Sequence, residues 1–220
     1  MRAIVTMTSI SPMLMHSDDV EWADEMTAWR KRPENAKRSV AGDDRSPAWR
    51  WIGSLWNDGQ HVTIPAPAIM ACIREGAKKV PTGKRQQTWK AGSQSSLIPE
   101  APHFTLANAQ GELVDYKAIR DELMGEDDFV KHREAAKRHG FELDVRRSKP
   151  QMSKHVRVRP MFTAWSCRVA LLVADADIAP ALDDIMHMAG SQAGLGNWRP
   201  SAPTSPGPWG RFSTTVEIEQ

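Results

Sequence analysis

Four stretches of the chain alternate apolar and polar residues with the two-residue period of a β-strand. They cover residues 2–10, 155–160, 162–174 and 212–218. Two other stretches carry apolar residues at helical spacing. One begins at Ala66 and places Ile69, Ile73 and Ala77 on one stripe, and the other places Leu182, Ile185, Met186 and Ala189 on one stripe. Weaker patterns predict a hairpin over 54–65, a short strand over 103–106 and two peripheral helices over 116–124 and 128–139.

The order of the strong elements predicts the fold. It reads strand, insertion, helix, insertion, strand or hairpin, helix, glycine-rich loop, strand. Without the insertions this is βαββαβ, the α+β arrangement of ferredoxin-like proteins and of the RNA-recognition motif. A chain of 220 residues suits one buried core. We therefore predict a single domain over 1–220, with insertions at about 13–53 and about 80–154.

The first insertion is rich in tryptophan and arginine. The chain has nine Trp and one Tyr, and Trp22, Trp29, Trp49 and Trp51 lie in polar surroundings in this segment. Aromatic and arginine side chains are enriched in interface cores. One reading is an exposed arm that touches a neighbour or a nucleic acid. The other is a surface loop that uses tryptophan as an anchor.

Charge is segregated along the chain, although the net charge of +2 indicates no partner. Residues 145–174 contain no acidic side chain and seven Lys or Arg. In the alternating stretch His155, Arg157 and Arg159 share the face opposite Val156 and Val158. A basic strand face suits a phosphate backbone, and it also suits an edge strand protected by charge against aggregation.

Two loops offer further candidate binding groups. The glycine-rich loop of residues 190–212 combines Gly194 and Gly196 with Trp198, Arg199 and Arg211, and Gly190 is predicted as the left-handed cap of the preceding helix. Such a loop can present backbone N–H groups, cations and flat rings to a polyanion that carries bases. The alternative is a turn that joins a helix to a strand. The loop of residues 83–92 is basic but lacks the upstream glycine and strand of a phosphate-binding loop.

The remaining chemistry is sparse. Cys72 and Cys167 lie in apolar patterns without metal-ligand spacing, so we expect both in the core of a protein from a reducing compartment. No apolar run reaches membrane-spanning length and no signal peptide is apparent. We expect a cytoplasmic protein with no membrane partner and no cofactor.

Four passages resemble a known family. They are the strand that ends in Ser11-Pro12, the segment from Val62 to Lys79, the segment from Val156 to Trp165, and the segment from Ala189 to Phe212. Together they resemble the RAMP superfamily, which forms the RNA-binding backbone of CRISPR effector complexes. They resemble more closely the small stand-alone relatives encoded in phages and prophages. The resemblance implies a modified RNA-recognition fold, a glycine-rich loop against a nucleic-acid backbone, and head-to-tail assembly along a strand.

These observations favour a single-stranded nucleic-acid-binding protein, for RNA or DNA, that is largely independent of sequence and assembles head-to-tail without being an enzyme. The resemblance also implies an alternative, a RAMP-type endoribonuclease that uses His16, Asp18 or Asp19. A third possibility is a protein-only inhibitor or scaffold that mimics a CRISPR effector subunit. The candidate binding residues are Lys84, Arg85, Trp89, Lys90, Arg146, Arg147, Lys149, Lys154, His155, Arg157, Arg159, Gly194, Gly196, Trp198, Arg199 and Arg211.

Overall fold

The computed structural model describes residues 1–84, 86–148 and 155–219. The strands are β1 (Arg2–Ser9), β2 (Met13–Leu14), β3 (Thr63–Pro65), β4 (Leu97–Pro99), β5 (His103–Ala107), β6 (Glu142–Ser148), β7 (His155–Phe162), β8 (Ser166–Val173) and β9 (Phe212–Glu219). The helices are α1 (Val20–Lys31), α2 (Ala66–Ala77), α3 (Lys90–Ser96), α4 (Tyr116–Leu123), α5 (Phe129–Arg138) and α6 (Leu182–Met188). The predicted α+β class is confirmed.

The main sheet is antiparallel and has β1 near its centre. Its strand order is β3-β5-β8-β1-β9, and β4 also pairs with β8. The register of the strands agrees with the alternation in the sequence. Val5 lies opposite both Val169 and Val216. Val5 and Val169 are fully buried, so this face of the sheet belongs to the core.

Helices α2 and α6 contribute the predicted apolar stripes to that core. Ile69, Ile73, Ile185 and Met186 are all buried. Side chains on the opposite face of the sheet include Thr6, Thr8, Arg168 and Thr215, which the register places side by side. This second face is polar and largely exposed.

Residues 155–160 do not belong to the main sheet. They form β7, the middle strand of a second antiparallel sheet with the order β2-β7-β6. β7 pairs with β6 from Glu142–Met161 to Ser148–His155 and with β2 at Met13 and Leu14. The sequence hides this sheet because β6 is mostly exposed or half-buried and so lacks a strong apolar alternation.

Of the two readings of the tryptophan-rich insertion, an exposed arm and a surface loop anchored by tryptophan, the exposed arm does not fit Trp49 and Trp51. Trp49 and Trp51 are 3% and 1% exposed. The Trp51 indole Nε1 donates to His132 Nδ1 at 3.1 Å, and its ring packs edge-on against Phe141 with ring centroids 5.7 Å apart. Phe141 in turn stacks on Phe162 of β7. The insertion therefore closes the core beneath the second sheet.

The other insertion also enters the core. It supplies β4 and β5 to the main sheet, and the helices α4 and α5, which were predicted to be peripheral, bury Ile119, Ala135 and Ala136 completely. His132 on α5 is fully buried, and burial lowers the pKa of its imidazole. Helix α5 is polar in sequence, yet His132, Ala135 and Ala136 form a side that faces the core.

The cysteines lie where the sequence predicted them. Cys72 and Cys167 are both buried, and burial raises the pKa of each thiol to about 12. Their role as core residues is confirmed. None of the helices within residues 1–84, 86–148 and 155–219 has both the length and the apolar character needed to span a bilayer.

The glycine-rich loop is built for close backbone packing. Gly190 is not the left-handed cap of α6, because a π-helical turn (Ala189–Ala193) continues the helix and Gly194, with φ 73°, ends it. A Cβ on Gly190 would overlap the Phe212 carbonyl oxygen, and one on Gly210 would overlap that of Leu195. Gly210 also has φ 69° and donates its N–H to the Pro12 carbonyl at 2.7 Å.

We expect Gly210→Ala to destabilise the fold by about 3 kcal/mol or more, because a left-handed L-residue costs about 1–2 kcal/mol and the overlap with Leu195 adds to it. Gly111→Ala is the matched control, since Gly111 has φ 80° but no described atom within 4 Å of its Cβ position. It should cost only the left-handed penalty. Urea denaturation of both variants measures the difference, and equal losses would contradict the proposed overlap.

Candidate functional site

Asp44 is positioned by a short stretch of backbone that pairs with β7. Gly42, with φ 77°, turns the chain, and its carbonyl accepts the Val156 N–H at 2.8 Å. The Asp44 N–H then donates to the Val156 carbonyl at 3.0 Å. These bonds bring the Asp44 carboxylate over the face of β7 that carries Arg157 and Arg159.

The carboxylate of Asp44 is shared by three arginines. Arg50 Nη1 and Arg157 Nη1 lie 3.1 and 3.2 Å from Oδ1, and Arg159 Nη1 lies 3.4 Å from Oδ2. The Asp44 side chain is only 5% exposed. We call Asp44, Arg50, Arg157 and Arg159 the arginine cluster. Three guanidinium groups and one carboxylate give it a charge of +2.

The arginine cluster corrects the predicted basic strand face. Arg157 and Arg159 are half-buried and paired, instead of forming a fully solvated surface. Burial lowers the pKa of Arg50 and of Arg159, but the ordinary pKa of arginine is so high that both stay protonated at neutral pH. The positive charge of Arg50, Arg157 and Arg159 is therefore concentrated around Asp44 and is not spread along an exposed strand face.

A cavity of about 340 Å³ lies against the arginine cluster. Helix α1 forms another wall with Trp22, Met26 and Arg30, and Trp51 and Val158 line the cavity from the core. We call this the first cavity. A second cavity of about 560 Å³ is lined by Arg74 of α2, by Lys78 directly after it, and by Asn197 and Arg199 of the glycine-rich loop.

The two cavities are adjacent, because His16 and Asp18 line both. Together they form a groove with arginines at each end and His16 between them. His16 is half-buried, and its pKa is lowered first by burial and then by Arg159, against the opposing effect of Asp18. Its imidazole is therefore mainly neutral at pH 7 and can accept a proton.

The glycine-rich loop meets the groove through side chains. The Gly194, Leu195 and Asn197 N–H groups donate to the carbonyls of Ala189, Gly210 and Leu14, so the predicted anion-binding nest is wrong for these three groups. Arg199 donates from Nη1 to the Gly196 carbonyl at 3.0 Å and from Nε to Ser201 Oγ at 3.2 Å. These bonds hold its guanidinium group at the edge of the second cavity.

A tryptophan pair lies beside the arginine cluster. The Arg146 guanidinium carbon is 4.7 Å from the Trp198 ring centroid and 4.5 Å from that of Trp209, and the two rings are nearly perpendicular. Arg146 faces Arg157 across the β6–β7 ladder, so their side chains are neighbours on the same face of the sheet. Trp198 is 38% exposed and has φ 55°, an uncommon value for a residue with a side chain.

The structure brings together only some of the predicted site residues. Arg157 and Arg159 line the first cavity, Gly194, Gly196 and Arg199 line the second, and Arg146 and Trp198 lie beside them. The following predicted residues line neither cavity: Lys84, Trp89, Lys90, Arg147, His155 and Arg211. Trp89 packs over Gly92 of α3. Arg85, Lys149 and Lys154 lie outside the described residues.

Sequence reasoning missed several residues of the groove. The sequence predicted no site role for four of them, namely Arg30, Asp44, Arg50 and Arg74. Asp44 and Arg157 are 113 positions apart, so no spacing motif links them.

Among the residues that the structure describes, no group of three or more His, Cys, Asp or Glu side chains is arranged to hold a metal ion. A scan of the chain against protein-family models finds no match, and a search among curated proteins finds no similar sequence. The groove must therefore be interpreted from its own geometry.

We expect Asp44→Asn to destabilise the protein by about 2 kcal/mol, because three arginines then face one another without a counter-charge. Breaking a buried ion pair costs about 3–5 kcal/mol, and partial exposure of the arginines reduces this. Asp43→Asn is the control, since Asp43 pairs with the exposed Arg45 and should cost less than about 1 kcal/mol. Urea denaturation distinguishes the two, and equal costs would contradict a structural role for the cluster.

Proposed function

We propose that the groove binds single-stranded nucleic acid through its phosphates, largely without sequence preference. The observation that carries this proposal is the continuity of the two cavities at His16 and Asp18, with arginines at both ends. A strand that runs along the groove meets Arg30, Arg50, Arg157 and Arg159 in the first cavity and Arg74, Lys78 and Arg199 in the second. The N–H groups of Gly194, Leu195 and Asn197 are already bonded, so side chains make most of the contacts.

Stacking by the tryptophan pair supports a ligand that carries bases. Trp198 exposes part of its ring next to Arg146, and base–aromatic stacking contributes about 1–3 kcal/mol per base. In the described part of the main sheet, the open faces of β1, β8 and β9 carry no aromatic side chain. We therefore place the binding site in the groove rather than on the open sheet, where RNA-recognition motifs stack their bases.

We further propose that the main sheet is ferredoxin-like. The order β4-β8-β1-β9, with α2 between β1 and β4 and α6 between β8 and β9, corresponds to that of a βαββαβ core. The second sheet and the arginine cluster are then additions to this core. The strand order supports the proposed relationship to the RAMP superfamily but is shared by many unrelated proteins.

We also propose head-to-tail assembly along the strand, which fewer observations support than nucleic-acid binding. Trp49 and Trp51 are core residues, so they do not offer an interface. What supports assembly is the small volume of the two cavities, about 340 and 560 Å³, because a polymeric ligand longer than one site recruits further copies. Heterologous contacts between such copies extend without closing.

We expect fluorescence anisotropy to show binding to labelled single-stranded oligonucleotides, with affinity that falls as salt rises. Arg157→Gln and Arg199→Gln should each weaken binding about 5-fold or more and lower the salt slope by about 1, because each removes a phosphate contact. Arg168→Gln, on the open face of the main sheet, is the matched control. Mass photometry on strands of increasing length then counts the bound copies.

Three outcomes would overturn parts of this proposal. Failure of RNA and DNA to bind at low salt would remove nucleic-acid binding altogether. An equal loss in the Arg168→Gln variant would move the site out of the groove. One copy per strand at every length would remove assembly. Partner binding that survives nuclease treatment would instead favour the inhibitor or scaffold.

A ribonuclease is the second candidate, and His16 is the observation that favours it. Its neutral imidazole lies in the middle of the groove between the two groups of arginines, where it can act as a general base on a 2′-hydroxyl. If the protein is an enzyme, denaturing gels should show RNA cut by wild type and intact with His16→Ala. DNA of the same sequence, which lacks the 2′-hydroxyl, should stay intact with both. Uncut RNA after prolonged incubation would remove this candidate.

A further inference from the structure

We propose that the first cavity is a phosphomonoester site, which receives the terminal phosphate of the bound strand. This proposal rests on nucleic-acid binding in the groove and assigns one end of the groove to one end of the ligand. The same chemistry would recognise a free mononucleotide, so the tests below separate the two sources.

The shape of the first cavity favours a chain end over an internal phosphate. Its inner lining includes Trp51, Val158 and Met26, which are all at most 5% exposed and belong to the core. An internal phosphodiester needs an exit for the chain on both sides. The residues shared with the second cavity, His16 and Asp18, mark one such exit, and the part of the lining formed by core residues offers no second one.

The charge of the arginine cluster matches a dianion. A phosphomonoester carries about −1.5 to −2 at pH 7, whereas each internal phosphodiester carries one charge. The cluster's charge of +2 arises from Arg50, Arg157 and Arg159 around Asp44, and Arg30 adds a further cation to the wall. Asp18 and Asp19 also line the cavity, so the four Arg and three Asp side chains of its lining sum to +1. Asp19 is engaged by the backbone N–H of Trp22 as the N-cap of α1.

The geometry of the cluster leaves the arginines with donors beyond those that contact Asp44. Each arginine contacts Asp44 through Nη1. A guanidinium group has five N–H donors in a planar fork, so each keeps its Nε and Nη2 groups for a ligand. The buried Asp44 carboxylate thus holds the three guanidinium groups close together. Their planar sets of N–H donors suit the oxygens of a phosphate.

Trp22 gives the cavity a place for the rest of a terminal nucleotide. Its ring packs edge-on against Trp49 with centroids 5.6 Å apart, and it lies so close to Gly53 that a Cβ there would overlap it. The ring is therefore fixed in the wall of the cavity. A nucleotide whose phosphate lies on the arginines can rest its sugar or base on this ring before the chain leaves past His16.

The first test compares three labelled oligonucleotides of one sequence and length, with a 5′-phosphate, with a 3′-phosphate, or with neither. We expect one phosphorylated form to bind wild type about 10-fold more tightly than the unphosphorylated form. Arg157→Gln should abolish this preference, whereas Arg74→Gln, in the second cavity, should weaken all three forms and keep the preference. Equal affinities of wild type for the three forms would overturn the assignment of the first cavity to the strand's terminal phosphate and leave nucleic-acid binding intact.

The second test identifies the source of the phosphate and does not depend on strand binding. Adenosine 5′-monophosphate, adenosine 3′-monophosphate, adenosine and inorganic phosphate are titrated into wild type, and the shift in Tm is measured. A Tm rise with a monophosphate but not with adenosine, lost in Arg157→Gln, supports the phosphomonoester site even if no oligonucleotide binds, and then favours a free mononucleotide. No shift with any phosphate, together with no preference in the first test, overturns the site.

Discussion

A single buried carboxylate links the segments that form the arginine side of the first cavity. Asp44 and Arg50 come from the first insertion, with Arg50 in the 3-10 helix (Ala48–Ser54), and Arg157 and Arg159 come from the second sheet. Without a shared anion, three guanidinium groups at this distance would repel one another. A buried ion pair contributes little net stability, so its main effect is to fix where three cations point. The wall of the first cavity depends on that orientation.

The part of the fold that periodicity can specify was read correctly from the sequence. β1, β8, β9, α2 and α6 each carry an apolar alternation or stripe that faces one core. The second sheet was missed because β6 has little apolar contrast and β2 has only two residues. The insertion was misread because tryptophans such as Trp51 occur among polar neighbours, and tertiary packing, which no local pattern reports, decides whether such a ring is buried.

The candidate site could be predicted only in part from the sequence, for a related reason. The basic residues of β7 were visible as a run, but the carboxylate and the helix that turn them into a cavity come from distant segments. The glycines suggested an anion-binding loop, yet Gly190, Gly194 and Gly210 mainly allow backbones to approach. Sequence composition therefore identified the charged elements of the groove, and the topology determined which of their groups face a ligand.

The position of β1 has a consequence for how the chain reaches this structure. Arg2 pairs with Leu172 on one side and with Glu219 on the other, so both neighbours of β1 in the sheet come from segments much later in the chain. During synthesis β1 emerges before either partner, and such long-range pairing is slow and exposed to aggregation. The nascent protein must therefore keep β1 from pairing with other chains until β8 and β9 have also been made.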